Sequence, residues 1–147
     1  MGRWQDGRSA LRIDGTGGGS TGLPAAREAS PSEVPCAGRG ASRSQAPGAP
    51  IPVEIATSYR ARTRGLLGRD GIEGALLLTP ASGVHTFRMR FPIDVAYLDR
   101  RLRVIAVRTM KPGRLGLPRL RARHVLEAEA GAMARWGLRP GAVVEIG

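Results

Sequence analysis

The stretch "GVHTFRMRFPIDVAYLD", residues 83–99, decides how the chain is read. Two apolar runs, "VHTFRM" (84–89) and "IDVAYLD" (93–99), flank Phe91-Pro92. Proline lacks an amide donor, so Pro92 marks an edge, bulge or break between two strands. Side chains alternate along a strand, which predicts His85, Phe87, Met89 and Phe91 on one face and Thr86, Arg88 and Arg90 on the other. In the second run Ile93, Val95 and Tyr97 share a face, and Asp94 points with Ala96 and Leu98. Both faces of that run are apolar, so a central strand covered on both sides is expected, with Asp94 buried. An ionised carboxylate leaves water only when it is paired, hydrogen-bonded or protonated. Arg88, Arg90 and the backbone amides near Pro92 are the mates that sequence proximity offers. The structural reading of Asp94 is that it ties the Pro92 break together.

Working outward, "IPVEIAT" (51–57) alternates as a strand, and Thr57 or Ser58 can cap a short helix over "SYRARTRGLLGR". Arg60 and Arg64 fall four apart on one side of that helix; Gly65 weakens it and Gly68 suits its end. "GALLLT" (74–79) reads as a buried strand closed by Pro80. "DRR" (99–101) turns into "LRVIAVRTM" (102–110), a hairpin partner, and "KPGRLGLPRLR" (111–121) reads as a loop. "RHVLEAEA" (123–130), "GAMARWG" (131–137) and "AVVEI" (142–146) read as strand, short helix and last strand. About six short strands and two short helices, without long crossover helices, predict an α+β, mostly β domain whose small sheet curls into a barrel-like shape.

The first fifty residues differ in kind. "DGTGGGSTG" and "GRGASRSQAPGAP" are rich in Gly, Ser and Pro. They predict a disordered tail over 1–50, or an upstream start that is seldom used, ahead of a folded domain over 51–147. Those 97 residues suffice for one core without staples. The tail carries six basic and four acidic residues and the domain seventeen and eight, so +9 of the net +11 lies in the domain. That balance permits an anionic ligand, an anionic lipid, an acidic protein or nucleic acid as partner. Arginine supplies 22 of the 23 basic residues, which is also the bias of a GC-rich genome. One cysteine, Cys36, makes no intrachain disulfide or cysteine metal cluster. The longest aliphatic run is "ALLL" and the N-terminus lacks the apolar segment of a secretory signal, which together predict a cytoplasmic protein without a transmembrane segment.

No catalytic signature appears. "GTGGGSTG" lacks the lysine and the strand–loop–helix frame of a phosphate loop. His85 and His124 are 39 residues apart, no G-x-S-x-G elbow occurs, and neither metal nor cofactor is expected. Glu127, in "VLEAEAG", shares a face with Val125 and Glu129. It closes a salt bridge with an arginine or adds a second carboxylate beside Asp94. Arg119, Arg121 and Arg123 alternate, and with Lys111, Arg114 and the helix arginines they form either an anion-binding stripe or a solvated loop.

Residues 51–147 resemble the DUF192 family, also called UPF0127, a group of small domains of unassigned function. The resemblance rests on "RTRGLLGR" (62–69), "GALLLTP" (74–80), "VHTFRMRFPIDVAYLD" (84–99), "VLEAEAG" (125–131) and "GLRPGAVVEI" (137–146), in family order and spacing. The "HTF-M-FPIDV" version looks like a short, leaderless bacterial branch. In that branch a cysteine precedes the "VHT" segment; Ala81 stands near that place here, so the resemblance implies no thiol role. It implies a compact β-rich fold and places Arg64, Met89, Arg90, Asp94 and Glu127 on family motif positions.

The candidate binding residues are therefore Arg64, His85, Arg88, Met89, Arg90, Asp94 and Glu127. The leading reading is a non-enzymatic binding or accessory module, with a basic cleft around Arg64, Arg88, Arg90 and Asp94 for an anionic ligand or an acidic protein. One alternative is an enzyme using His85, Asp94 and Glu127 for acid–base chemistry. Another is nucleic-acid binding, which the scarcity of stacking aromatics disfavours. Oligomeric state is not legible.

Overall fold

The computed structural model describes residues 4–14 and 49–147. A first strand, β1 (Gly7–Asp14), is followed by β2 (Ile51–Ala56), helix α1 (Tyr59–Arg64), β3 (Ala75–Leu78) and β4 (Val84–His85). The chain continues through β5 (Ile93–Leu98), β6 (Val104–Met110), β7 (Leu115–Gly116), β8 (His124–Glu129), helix α2 (Ala132–Arg135) and β9 (Val143–Ile146). Seven strands form one sheet in the order β6-β5-β8-β3-β2-β1-β9, and β4 pairs with β7 beside it. The two edges of the large sheet meet. Arg103 bridges Val143, and the Val104 and Val144 amides donate to the Ala142 and Leu102 carbonyls. Closing the sheet on itself at this end leaves fewer backbone groups unpaired along its edges. The curled, mostly β architecture agrees with the sequence expectation.

Two clusters of buried side chains cover the two faces of the sheet. Leu11, Leu77, Ala96, Leu98, Leu126 and Met133 belong to one. Leu76, Leu78, Val84, Met89, Val95 and Val125 belong to the other. β5 contributes to both, and all six of its residues are buried, as a doubly apolar run requires. β2 and β3 run parallel, joined by the connection that carries α1. Ser58 caps α1 by accepting a hydrogen bond from the Ala61 amide at 3.2 Å, and Gly65 ends it at φ 44, earlier than Gly68. Gly74 enters β3 at φ +78, where a Cβ would lie 2.1 Å from the Pro52 carbonyl oxygen; no other residue fits.

Three expectations are corrected. Gly7–Asp14, read as part of a structureless tail, is a strand between β2 and β9. "SALRID" has the alternation of a strand: Leu11 is fully buried and Ile13 packs on the same cluster. The Asp6 carboxylate accepts hydrogen bonds from Thr57 and Ser58 and ties this strand to the start of α1. The glycine-rich run and Cys36 lie outside the described residues. Second, "VHTFRM" is a strand only at Val84 and His85. Thr86, expected to share a face with Arg88 and Arg90, is fully buried while those two are exposed. Its hydroxyl donates to the Lys111 carbonyl at 2.7 Å and accepts from the Arg114 amide at 2.8 Å, and its own amide donates to the Arg114 carbonyl. These distant bonds divert the chain into a turn, with Arg88 at φ 60. Third, "KPGRLGLPRLR" is not wholly loop, since Leu115–Gly116 pairs with Val84–His85.

Asp94 is buried as expected, with partners other than those sequence proximity offered. Thr109 Oγ1 donates to Oδ1 at 2.7 Å, and the Gly131 and Met133 amides donate to Oδ2 at 2.9 and 3.2 Å. Gly131 has no side chain to cap α2, so a carboxylate from β5 caps it instead. Neither Arg88 nor Arg90 reaches it. Replacing Asp94 with Ala leaves two amides unpaired at the edge of the core. We expect a loss of about 2–4 kcal/mol in chemical denaturation, with Asp94→Asn intermediate.

Candidate functional site

Pairing between β5 and β8 sets the chemistry. Val95 lies opposite Glu127 and Asp94 opposite Ala128. Paired residues project to the same face and successive residues to opposite faces. Asp94 therefore lies on the α2 side of the sheet and Glu127 on the α1 side. The His85, Asp94 and Glu127 cluster is not assembled, because the sheet stands between its two carboxyls.

Glu127 is 4 % exposed, and its carboxyl makes no hydrogen bond or ion pair among the described residues. Neither the salt bridge nor the second carboxylate beside Asp94 is realised. Burial pushes its pKa up from 4.5 to about 7. It lines a pocket of about 80 Å³ with Arg62, Arg64, Leu78, His85 and Met89. At roughly 30 Å³ per water, that space suits two or three waters or one small ligand group. Beside it, one of the Arg62 terminal nitrogens donates to the Pro80 carbonyl at 2.6 Å, while its buried Nε–H has no partner among the described residues. Gly65 roofs the pocket; a Cβ there would lie 4.0 Å from Glu127 Oε2.

A larger cleft of about 970 Å³ adjoins this pocket, and Thr63, Arg64, Gly65 and Leu67 line both. Its walls carry Arg8 of β1, Arg60 and Arg64 of α1, Arg69, and a single carboxylate, Glu54 of β2. Glu54 is already paired with Arg69 at 2.8 Å, which holds its carboxyl below the usual range and raises the guanidinium. Arg60 and Arg64 sit one turn apart on a six-residue helix. Like charges at that spacing cost a few tenths of a kcal/mol. Neither forms an ion pair among the described residues.

Of the seven residues singled out from sequence, Arg64, His85, Met89 and Glu127 meet at the small pocket. His85 is exposed at its rim, its ring stacked 5.3 Å from Phe87, and Met89 is a buried wall. Arg90 pairs on the surface with Asp70 at 2.8 Å, Arg88 projects from the turn, and Asp94 belongs to the α2 cap. Arg8, Glu54 and Arg69 escaped the sequence reading. The alternation of "SALRID" was the available signal for Arg8 and that of "IPVEIAT" for Glu54, while Arg69 closes the motif "RTRGLLGR". Among the described residues, no group of three His, Cys, Asp or Glu side chains is placed to hold a metal ion, and no helix is long and apolar enough to cross a membrane.

The raised pKa has a signed consequence. Between about pH 4.5 and 7 the folded protein keeps a proton on Glu127 that the unfolded chain has released. Stability therefore falls as pH rises through that window and is flat above it, by up to about 3 kcal/mol from this group. Arg62, Arg64, His85 and Tyr97 face the same region and stay unchanged in Glu127→Gln. That variant is expected to lose the decline and to be the more stable protein at pH 8, as read by urea denaturation across pH. An unchanged slope would contradict the burial of an unpaired carboxyl.

The chain is 34% identical over 84 residues to the UPF0127 protein PH1112 of Pyrococcus horikoshii, an alignment covering 54% of this chain and 73% of that one. It is 31% identical over 100 residues to the UPF0127 protein PYRAB11210 of Pyrococcus abyssi, covering 65% and 80%. These relatives are archaeal, and placement in a bacterial branch draws nothing from them. A solved structure of a protein of unknown function from Novosphingobium aromaticivorans superposes with a TM-score of 0.62 at 19% identity, covering 92% of this chain and 83% of that one, which is a likeness of fold. The model of the DUF192 family, described as an uncharacterised ACR, matches residues 41–146, and the chain belongs to that family.

Proposed function

We propose that this protein is a non-catalytic binding module that holds a small anionic ligand in the cleft beside α1. The observation that carries the reading is the excess of guanidinium groups there: Arg8, Arg60 and Arg64 face a cleft whose one carboxylate is already paired with Arg69. Placing Arg60 and Arg64 together on a short helix costs stability and returns no structural contact, which is how anion sites are built. The volume lies in the range of small-molecule sites, and Gly65 belongs to the wall that the cleft shares with the Glu127 pocket. A polar group that both donates and accepts hydrogen bonds would complement the Glu127 carboxyl and Arg62 Nε. No aromatic side chain lines the cleft, so base stacking, the usual anchor of single-stranded nucleic acid, has no platform in it.

Calorimetry and thermal melting with inorganic phosphate, citrate and adenosine monophosphate test the proposal. At tenfold excess over its Kd, a true ligand stabilises by about 1.4 kcal/mol and raises the melting temperature by roughly 5 °C. The effect should weaken with salt and disappear in Arg60→Glu/Arg64→Glu, whose substituted side chains are exposed. No response to any of the three probes, or the same response in the double variant, would overturn the assignment.

A further inference from the structure

The segment 111–123, "KPGRLGLPRLRAR", takes no part in the proposed ligand site. It carries five cations and no acid. It is held firmly. Thr86 pins its start, the Arg119 amide donates to the Ser82 carbonyl at 2.9 Å, and the Arg123 amide donates to the Leu98 carbonyl at 2.8 Å. Its own Ala122 is buried, and the Arg119 guanidinium lies 5.3 Å from the centre of the Tyr97 ring. Yet Leu115, Leu117 and Leu120 are 66, 78 and 93 % exposed. Pairing of His85 with Leu115 brings Phe87, stacked on the His85 ring and 47 % exposed, to the same place. Four of the five large exposed apolar side chains among the described residues thus gather around one rigid, cationic strap. Clustered apolar exposure of this kind marks an interaction surface.

We propose that this strap docks on an anionic lipid bilayer, with the leucines and Phe87 entering the headgroup region and Lys111, Arg114 and Arg121 meeting lipid phosphates. Charge chooses the occupant. Two copies of the strap would bring like charges together, and a nucleic acid would leave three leucines without a partner. An anionic membrane surface offers both an apolar layer and a negative potential, and surfaces that combine the two gain from each.

The test is co-sedimentation of the full chain with phosphatidylcholine vesicles and with vesicles enriched in phosphatidylglycerol. Binding is expected only to the anionic vesicles, to weaken as salt rises, and to fall roughly tenfold or more in Leu115→Ser/Leu117→Ser/Leu120→Ser. Those side chains are exposed, so the variant should melt at the same temperature as the parent, which circular dichroism checks. Should that variant fail to fold, Arg114→Glu/Arg121→Glu serves in its place and is expected to lose the anionic-vesicle binding. Three results would overturn the proposal: no binding to anionic vesicles, undiminished binding by the leucine variant, or equally tight and leucine-independent binding to soluble polyglutamate or an oligonucleotide. Competition by soluble glycerol phosphate at millimolar concentration would assign the phosphate contacts to a free ligand and overturn it as well.

Discussion

The register between β5 and β8 is the constraint on which the site depends. With Val95 opposite Glu127 and Asp94 opposite Ala128, two carboxyls on adjacent strands are sent to opposite faces of one sheet. A slip of one residue in either strand would turn that strand's carboxyl to the opposite face, put both on one side of the sheet and break both clusters of core side chains. On the α2 face, the Asp94 carboxylate finds two amides and a hydroxyl. On the α1 face, Glu127 lies in a small pocket of mixed lining and has no hydrogen-bond partner among the described residues. The same residue chemistry thus acts as a structural clasp on one side and remains available on the other.

That asymmetry gives the site its character. An unpaired carboxyl beneath a helix end is costly, and the adjoining cleft adds a second unfavourable choice, the Arg60 and Arg64 pair. Structural roles rarely accumulate such costs on neighbouring residues, whereas binding sites routinely do. The β1 strand matters here as well. It contributes Arg8 to the cleft and lies at the centre of the pairing that joins β2 to β9. Fold and site therefore share the segment that composition made look dispensable.

Much of this was legible from the chain. The doubly apolar "IDVAYL" reads as a central strand, and a carboxylate inside it has to be buried and satisfied. Thr57 or Ser58 announces the start of α1, and the closely spaced arginines of "RARTR" announce its charge. What sequence proximity could not supply was contact between distant segments. The Asp94 partners at Gly131 and Met133 lie 37 and 39 residues away. The end of β4 is imposed by Thr86 bonding a segment more than twenty residues downstream, which no local alternation reveals. In β1 the apolar signal is confined to Leu11 and Ile13, and the glycine-rich stretch that follows conceals it.

The most direct measurement is a carbon-detected NMR titration of the Glu127 side-chain carboxyl in the intact protein. A midpoint near 7 is the result this account predicts, since only burial acts on that group. A midpoint at the ordinary value of 4.5 would place the carboxyl in water or beside a cation and contradict it.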